Sequence, residues 1–390
     1  MQQPDVLILG LGAMGSATAY QLAKRGMKVI GLDQFTPPHA QGSTHGESRI
    51  TREAIGEGEE FVPLARRSHQ LWREIEAATG ERLLNACGGL ILARKGQASH
   101  MHAQPDFLGT TIRAAKKFGI PHEVLDAREI AARFPQFQLQ GDEAGYFEPG
   151  AGYLDPEACV RAQLTLAKQH GADLRYGETI TAIEHTASGT VVKTNRETYA
   201  AGTTIVAAGA WLPTLLPEIA KPLVVRRQVM FWFETESTPS YAPKNFPIFI
   251  WHWGANPDDV FYGFPQTGSE PAIKVAAEQN RHATTAHTVE RDVSNAEMTA
   301  MFQRHIATRL NGVGPRAVRA ATCLYTDAPQ ARFIIDRVPD AKDLIVISAC
   351  SGHGFKHSAA IGEALSQLVT QRESPNVLLP FAFAASASWL

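Results

Sequence analysis

The strongest constraint on this chain lies at its start. Val6-Leu7-Ile8-Leu9 is an unbroken apolar run, Gly10-Leu11-Gly12-Ala13-Met14-Gly15 follows at once, and Ser16–Arg25 has helical composition closed by Gly26. A second apolar run, Val29-Ile30-Gly31-Leu32, ends on Asp33. Strand, glycine turn, helix and a second strand ending on an acid, in that order, predict a βαβ unit that binds a dinucleotide. Gly10 allows the tight turn, Gly12 lets a pyrophosphate approach the backbone, and Gly15 lets helix and strand pack closely. The phosphates would sit on unpaired N–H groups at the helix N-terminus, and Asp33 would hold ribose hydroxyls.

Composition narrows the rest. At roughly 150 residues per domain, 390 residues predict two or three domains. Hydrophobic residues at 44% and charged residues at 19% exclude a disordered or fibrous chain. A formal charge of −2 gives no general basic field for nucleic acid or an anionic membrane. Cys87, Cys159, Cys323 and Cys350 are too sparse for a disulfide framework, and none pairs as CxxC. There is no HExxH and no cysteine pair, so no metal is expected. The longest apolar stretches are broken by Pro213, Pro217 and Pro380, too short for a membrane helix, and the Ser388-Trp389-Leu390 end is not a peroxisomal address. With no signal-like N-terminus, a cytoplasmic protein is expected.

Along the chain, Phe61–Thr79 reads as a long amphipathic helix, Cys87–Arg94 as a strand, Glu157–His170 as a helix, and Asp173–Tyr176 and Thr190–Thr194 as short strands. Thr203–Val206 is a buried strand entering a turn at Gly209 and Trp211, the kind of second segment that FAD folds use. Residues 222–275 are β-rich, Ser294–Leu310 reads as a helix, and Leu344–Ala349 is a buried strand before a helix at Phe355–Gln371. Nucleotide-fold pieces at the start, middle and end imply a discontinuous α/β domain with insertions.

Three more segments follow in order: His45-Gly46-Glu47-Ser48-Arg49-Ile50-Thr51-Arg52, Cys323-Leu324-Tyr325-Thr326 with Phe333-Ile334-Ile335-Asp336, and Ser351-Gly352-His353-Gly354-Phe355-Lys356. With the N-terminal motif, they make residues 5–370 resemble the monomeric sarcosine oxidase and N-methyltryptophan oxidase family of flavoproteins. The resemblance implies an α/β (α+β overall) fold. A Rossmann-like FAD-binding domain would take 1–85, 150–221 and 320–390, and a smaller mixed β-sheet substrate domain 86–149 and 222–319. It implies FAD bound by Gly10, Gly12, Ala13, Met14, Gly15, Asp33, Gln34, Ser43, Thr44, Gly209 and Trp211. Ser351, Gly352, His353, Gly354, Phe355 and Lys356 would bind it as well. Cys323, matching Cys-x-Tyr-Thr, is implied as the covalent anchor at the 8α-methyl carbon; its alternative is a buried small hydrophobe.

The resemblance also implies that Arg52 and Lys356 clamp a substrate carboxylate, beside Tyr262. Lys356 stands in the first turn of a predicted helix, where the macrodipole disfavours a cation unless an anion is held against it; the alternative is a solvated lysine. Arg49 and Arg52, at i and i+3, would share a face of a helical turn, and Thr44 with Glu47 fits a capping box, a purely structural reading. The family places His45 and Arg49 by the flavin, where fixed positive charge favours the reduced form. Lys274, downstream of Tyr262-Gly263-Phe264-Pro265 by one residue more than the family pattern, would promote reaction with O2; the alternative is an edge-strand lysine guarding against aggregation. Glu278 stands where members often carry histidine. Trp251 and Trp253 either line the side-chain pocket or pack the second domain, and Cys350 is a reactive or a buried thiol.

The implied activity is oxidation of a secondary α-amino acid, N-methyl or cyclic, to the imine, with O2 reduced to H2O2, by a monomer. The alternatives are a D-amino acid or glycine oxidase, or a dehydrogenase serving another acceptor.

Overall fold

Val6–Leu9 is wholly buried and pairs in parallel on both sides, with Val29–Asp33 and with Thr203–Val206. A parallel strand between two others must be apolar on both faces, which explains the unbroken run. In this computed structural model, which describes residues 3–186, 189–280, 282–371 and 373–385, it lies inside a six-stranded sheet. The order is Ile334–Val338, Ala341–Ser348, Thr203–Val206, Val6–Leu9, Val29–Asp33, Asp173–Tyr176, and only the Ile334–Val338 edge runs antiparallel to its neighbour. Residues 388–390 lie outside the described residues.

Alternation sorts the two faces of this sheet. Val6, Ile8, Ile205, Ile345 and Ile347 face helices Ala13–Lys24, Val62–Thr79, Pro156–Gln169 and Ser358–Gln371. Leu7, Leu9, Leu32, Val206 and Val346 face a three-stranded meander through Val192 and Tyr199. No described helix is long and apolar enough to cross a membrane.

The second large sheet has eight strands: Val313–Asp327, Val224–Thr235, Ala272–Ala276, Val260–Gly263, Ile248–His252, Gly89–Arg94, Glu143–Glu148 and Glu123–Asp126. Val313–Asp327 thus carries chain from both sides of the expected boundary at 319/320. One face is an aromatic core of Phe231, Phe233, Phe249, Trp251 and Phe261 with Ile273 and Val275. Period-two alternation then sends Gln228, Met230, Ile250 and Lys274 to the opposite face, toward the nucleotide sheet.

That alternation decides two open readings. Trp251 packs the domain core. Lys274 is not on an edge strand, since Ala272–Ala276 pairs with Val224–Thr235 on one side and Val260–Gly263 on the other. The single helix expected over Ser294–Leu310 is also corrected. Asn295–Met301 is α-helical, Phe302–Ile306 winds as a π-helix, and His305 there accepts the Trp253 indole N–H at 3.2 Å.

Helices Ala13–Lys24 and Ser358–Gln371 approach so closely that a Cβ on Gly362 would fall 2.5 Å from the backbone carbon of Ala17. Gly362→Ala should therefore cost about 1–3 kcal/mol by overpacking. The expected result is a lower thermal unfolding midpoint with an unchanged far-UV spectrum; an unchanged midpoint would refute this packing.

Candidate active site

A cavity of about 330 Å3 lies between the two sheets. Its nucleotide end starts at Gly10, whose φ of 93° and a virtual Cβ only 2.6 Å from Ala207 O leave no place for another residue. Gly12 caps helix Ala13–Lys24 without any side-chain hydrogen bond, and a Cβ there would meet nothing closer than Thr44 Oγ1 at 3.8 Å. The helix terminus is therefore open toward the cavity, with Ala13 and Met14 on its wall. Asp33 lies on the wall with Gln34, its carboxylate accepting from Leu11 N and Phe35 N at 2.9 Å. Ser43, Thr44, Gly209 and Trp211 complete this end.

The middle of the cavity is built on the segment from Ser43 to Arg49. Here the helical turn and capping box are overturned: Gly46 and Glu47 take φ of 92° and 69°, and Arg49–Thr51 is a strand paired with Gly152–Leu154. The Glu47 carboxylate does not reach back to cap a turn; it accepts from Trp232 Nε1 at 3.2 Å and pairs with Arg319. Arg49 donates to Ser43 O at 2.7 Å and Ser48 O at 2.8 Å, with Nη2 3.7 Å from Cys323 Sγ. A permanent positive charge thus stands beside a sulfur that would have to act as a nucleophile. Burial pushes the thiols of Cys87 and Cys350 up to about 11 and that of Cys159 well above its usual value.

Lys274 is buried and donates to Gly46 O at 2.7 Å and Ser48 O at 2.6 Å, its ammonium 4.1 Å from the Phe264 ring centre. Burial, then the neighbouring Arg49, holds its pKa well below the usual lysine range. His45 is buried too, and burial followed by Arg49 lowers it to about 3. It lies off the cavity wall, so of His45 and Arg49 only Arg49 reaches the cavity.

The far end holds charges that cancel one another. Arg52 and Lys356 are both 3% exposed, which removes the solvated reading of Lys356. The anion expected against Lys356 comes from the chain itself. Glu57 lies 2.7 Å from Arg52 Nη2 and 3.7 Å from Lys356 Nζ, and Lys356 also donates to His353 O at 2.5 Å. Burial opposes the Glu57 charge, but Arg52 and Lys356 hold it well below the carboxylate range. Burial lowers Lys356 to about 8, with Glu57 limiting the fall. His102 joins Glu57 to Glu278, its Nδ1 3.3 Å from one carboxylate and its Nε2 2.5 Å from the other. Burial works against its charge, yet the two carboxylates outweigh it and raise it to about 9. Tyr262 stands nearby, bonded to the Tyr325 hydroxyl at 3.2 Å and pushed up to about 12 by burial.

Lys274, Arg49, Cys323, Tyr262, Arg52, Lys356, Gly352, His353, Gly354 and Phe355 all line this one cavity; Gly15, His45 and Ser351 do not. Gly15 serves packing, since a Cβ would fall 1.8 Å from Gly10 O, and Ser351 bonds Ala328 N and Arg332 O. Glu57 and His102 were missed by sequence reasoning. Their one available signal was polarity near a motif: Glu57 follows Arg52 by five residues.

The chain is similar to known proteins in sequence and fold. A sequence profile of the FAD dependent oxidoreductase family matches residues 5–368. The chain is 38% identical to the monomeric sarcosine oxidase of Streptomyces avermitilis over 93% of each chain. It is 33% identical to the N-methyl-L-tryptophan oxidase of Yersinia pestis, covering 97% of this chain and 98% of that one. A structure of NikD, an unusual amino acid oxidase essential for nikkomycin biosynthesis, in an open form, matches with a TM-score of 0.84 at 25% identity over 98% of both chains. The residues present fit FAD. The uncapped helix terminus and Asp33 face the cavity, and Thr326 Oγ1 and His353 Nδ1, on residues of its wall, are buried without a hydrogen-bond partner among the described residues.

Gly12→Asp separates fold from cofactor. The new carboxylate would cap the helix and gain about 0.5 kcal/mol, but would repel pyrophosphate. The apoprotein should unfold at an unchanged or higher temperature while bound FAD falls at least tenfold; undiminished FAD would disprove the phosphate assignment.

Proposed function

The chain belongs to the FAD-dependent oxidoreductase family as an amine oxidoreductase, and from that premise we propose that it oxidises a secondary α-amino acid, N-methylated or cyclic, to its imine. FAD, when bound, supplies the redox chemistry by accepting a hydride from carbon next to the amine nitrogen and reducing O2 to H2O2. The observation that carries the reading is that one cavity brings together the helix terminus and Asp33, Cys323 with Arg49 and Lys274, and Arg52 with Lys356.

Arg52 and Lys356 hold the substrate carboxylate and so orient the reacting carbon. The charge count supports this. Arg52, Lys356 and His102 are three cations at neutral pH against Glu57 and Glu278, leaving one positive charge, which a single carboxylate neutralises. The same excess disfavours a protonated amine, and only the free base has a lone pair to assist hydride loss. Lys274 is assigned to promote the reaction with O2, and Cys323 to the covalent link. The two named relatives support an N-methyl amino acid as substrate, and the name of the first supports a monomer.

The first test is anaerobic flavin bleaching with sarcosine, N-methyltryptophan, pipecolate and proline, followed by peroxide measurement in air. Bleaching by none of the four defeats the substrate reading. Cys323→Ala should leave the yellow colour in the supernatant after acid precipitation, where wild type keeps it in the pellet; identical behaviour removes the covalent assignment.

The pH dependence has a defined sign. Lys356 is charged below about 8 and loses its charge as pH rises through that value; His102 follows near 9. KM for the amino acid should therefore rise above pH 8, although the free amine becomes more abundant there. In Lys356→Gln the KM should be at least tenfold higher at pH 7, and the step near 8 should vanish, leaving the one near 9. A step at 8 that persists in the variant would sink the role of Lys356.

A further inference from the structure

We propose that Glu157 is the positioning residue of the cationic wall: its carboxylate fixes the turn at Gly46–Glu47, which in turn aims backbone carbonyls at Lys274 and Arg49. Glu157 lies in the first turn of helix Pro156–Gln169, where the macrodipole favours an acid. Its Oε1 accepts from Gly46 N at 2.6 Å, and its Oε2 accepts from Glu47 N at 3.2 Å. Two successive positive-φ residues turn their N–H groups to one side and form an anion-binding concavity, and Glu157 fills it. Positive φ at a non-glycine residue such as Glu47 persists only where its surroundings over-determine it. Here they do so from both sides.

The peptide between Gly46 and Glu47 makes the link direct. Its N–H points at Glu157 and its carbonyl accepts from Lys274 Nζ at 2.7 Å. Ser48 N also bonds to Gly46 O at 2.8 Å, which tightens the turn and presents Ser48 O to Lys274 at 2.6 Å and to Arg49 at 2.8 Å. The buried Lys274 and the half-buried Arg49 thus share one oxygen, and no carboxylate touches either among the described residues. The charged and titratable groups around Lys274 are Arg49, Glu157, Glu47, Cys323 and His45. Glu47 is already engaged by Arg319. Glu157 forms no ion pair among the described residues, so it is the free counter-charge, held one peptide away. Burial and Arg49 push Lys274 toward its neutral form; Glu157 opposes them. A neutral Lys274 would no longer offer O2 a cation.

This inference rests on the assignment of Lys274 to the oxygen reaction, and its test avoids the amine substrate. The holoenzyme is reduced by light without oxygen, with EDTA as the electron donor, mixed with aerated buffer, and its reoxidation followed from pH 6 to 10 in wild type, Glu157→Gln, Lys274→Met and the double variant. Glu157→Gln should reoxidise about tenfold more slowly at pH 8, with its fall-off moved to lower pH. The double variant should match Lys274→Met within about twofold. The 13C resonance of the Lys274 side chain should titrate at lower pH in Glu157→Gln than in wild type, a change that loosened packing alone would not give. An unmoved titration with wild-type reoxidation overturns the proposal, as does equal reoxidation of wild type and Lys274→Met. If Glu157→Gln loses its cofactor, Glu157→Asp keeps the charge but withdraws it; it should shift both readouts in the same direction by less, and a lack of shift overturns the proposal. Normal reoxidation in an enzyme that no secondary amino acid reduces would count against the substrate reading alone.

Discussion

Burying cations is the constraint on which the rest of this site depends. Removing an ammonium or guanidinium from water costs several kcal/mol unless good partners replace the water. Arg49, Arg52, Lys274 and Lys356 all line the same cavity, and the chain meets the cost in two ways. Arg52 and Lys356 share the Glu57 carboxylate, an exchange of charge for charge. Among the described residues, Arg49 and Lys274 receive no carboxylate: their oxygen partners are carbonyls of Ser43, Gly46 and Ser48, with the sulfurs of Met230 and Cys323 beside Arg49. Dipoles stabilise a cation without cancelling it, so the middle of the cavity keeps its positive potential while the far end comes close to neutrality.

That division would suit an electron-accepting ring placed beside the carboxylate-bearing substrate proposed above. A net positive wall favours whatever gains negative charge against it. At the far end a larger excess would attract anions without discrimination, and a deficit would hold the amine in its protonated, unreactive form. Glu278 alone would tilt the balance that way. His102 compensates it, reaching Glu278 from a loop where His102 and Ala103 both take positive φ. The carboxylate of Glu278 is thus matched by an imidazole that the chain brings from a distant loop.

Local pattern carried far into this fold. The βαβ unit, the helix at Val62–Thr79 and the strands at Thr203–Val206, Val224–Thr235, Ile248–His252 and Val260–Gly263 follow from apolar periodicity and glycine turns. Glu123–Asp126, Glu143–Glu148, Val313–Asp327 and Ile334–Val338 do not read as strands from that pattern; alternation decides which way Lys274 and Trp251 point. The failures share a cause. Arg49 and Arg52 look helical because i and i+3 spacing fits a turn, but pairing with Gly152–Leu154, about a hundred residues away, draws Arg49–Thr51 into a strand. His102 and Glu157 act through partners separated from them by long loops or by whole elements, as Glu57 does toward Lys356, and no periodicity encodes such a contact. Side-chain charge is visible in sequence; which charge compensates which is a property of the assembled fold.

The glycines of the Ser351–Gly354 motif illustrate the same point at the scale of one atom. Gly354 is required by its own backbone, since a Cβ would fall 1.7 Å from Ala349 O. Gly352, with φ of 77°, faces the side chains instead: a Cβ would lie 2.6 Å from His102 Nε2 and 2.9 Å from Glu278 Oε1. The missing side chain leaves the space in which those two groups meet. A motif read as a cofactor turn thus also forms the wall behind the substrate end, and the bond between His102 and Glu278 depends on a residue that contributes no functional group. Substitution at Gly352 would separate the pair without touching either charge, so the balance of the far end is set by backbone shape as much as by titratable side chains.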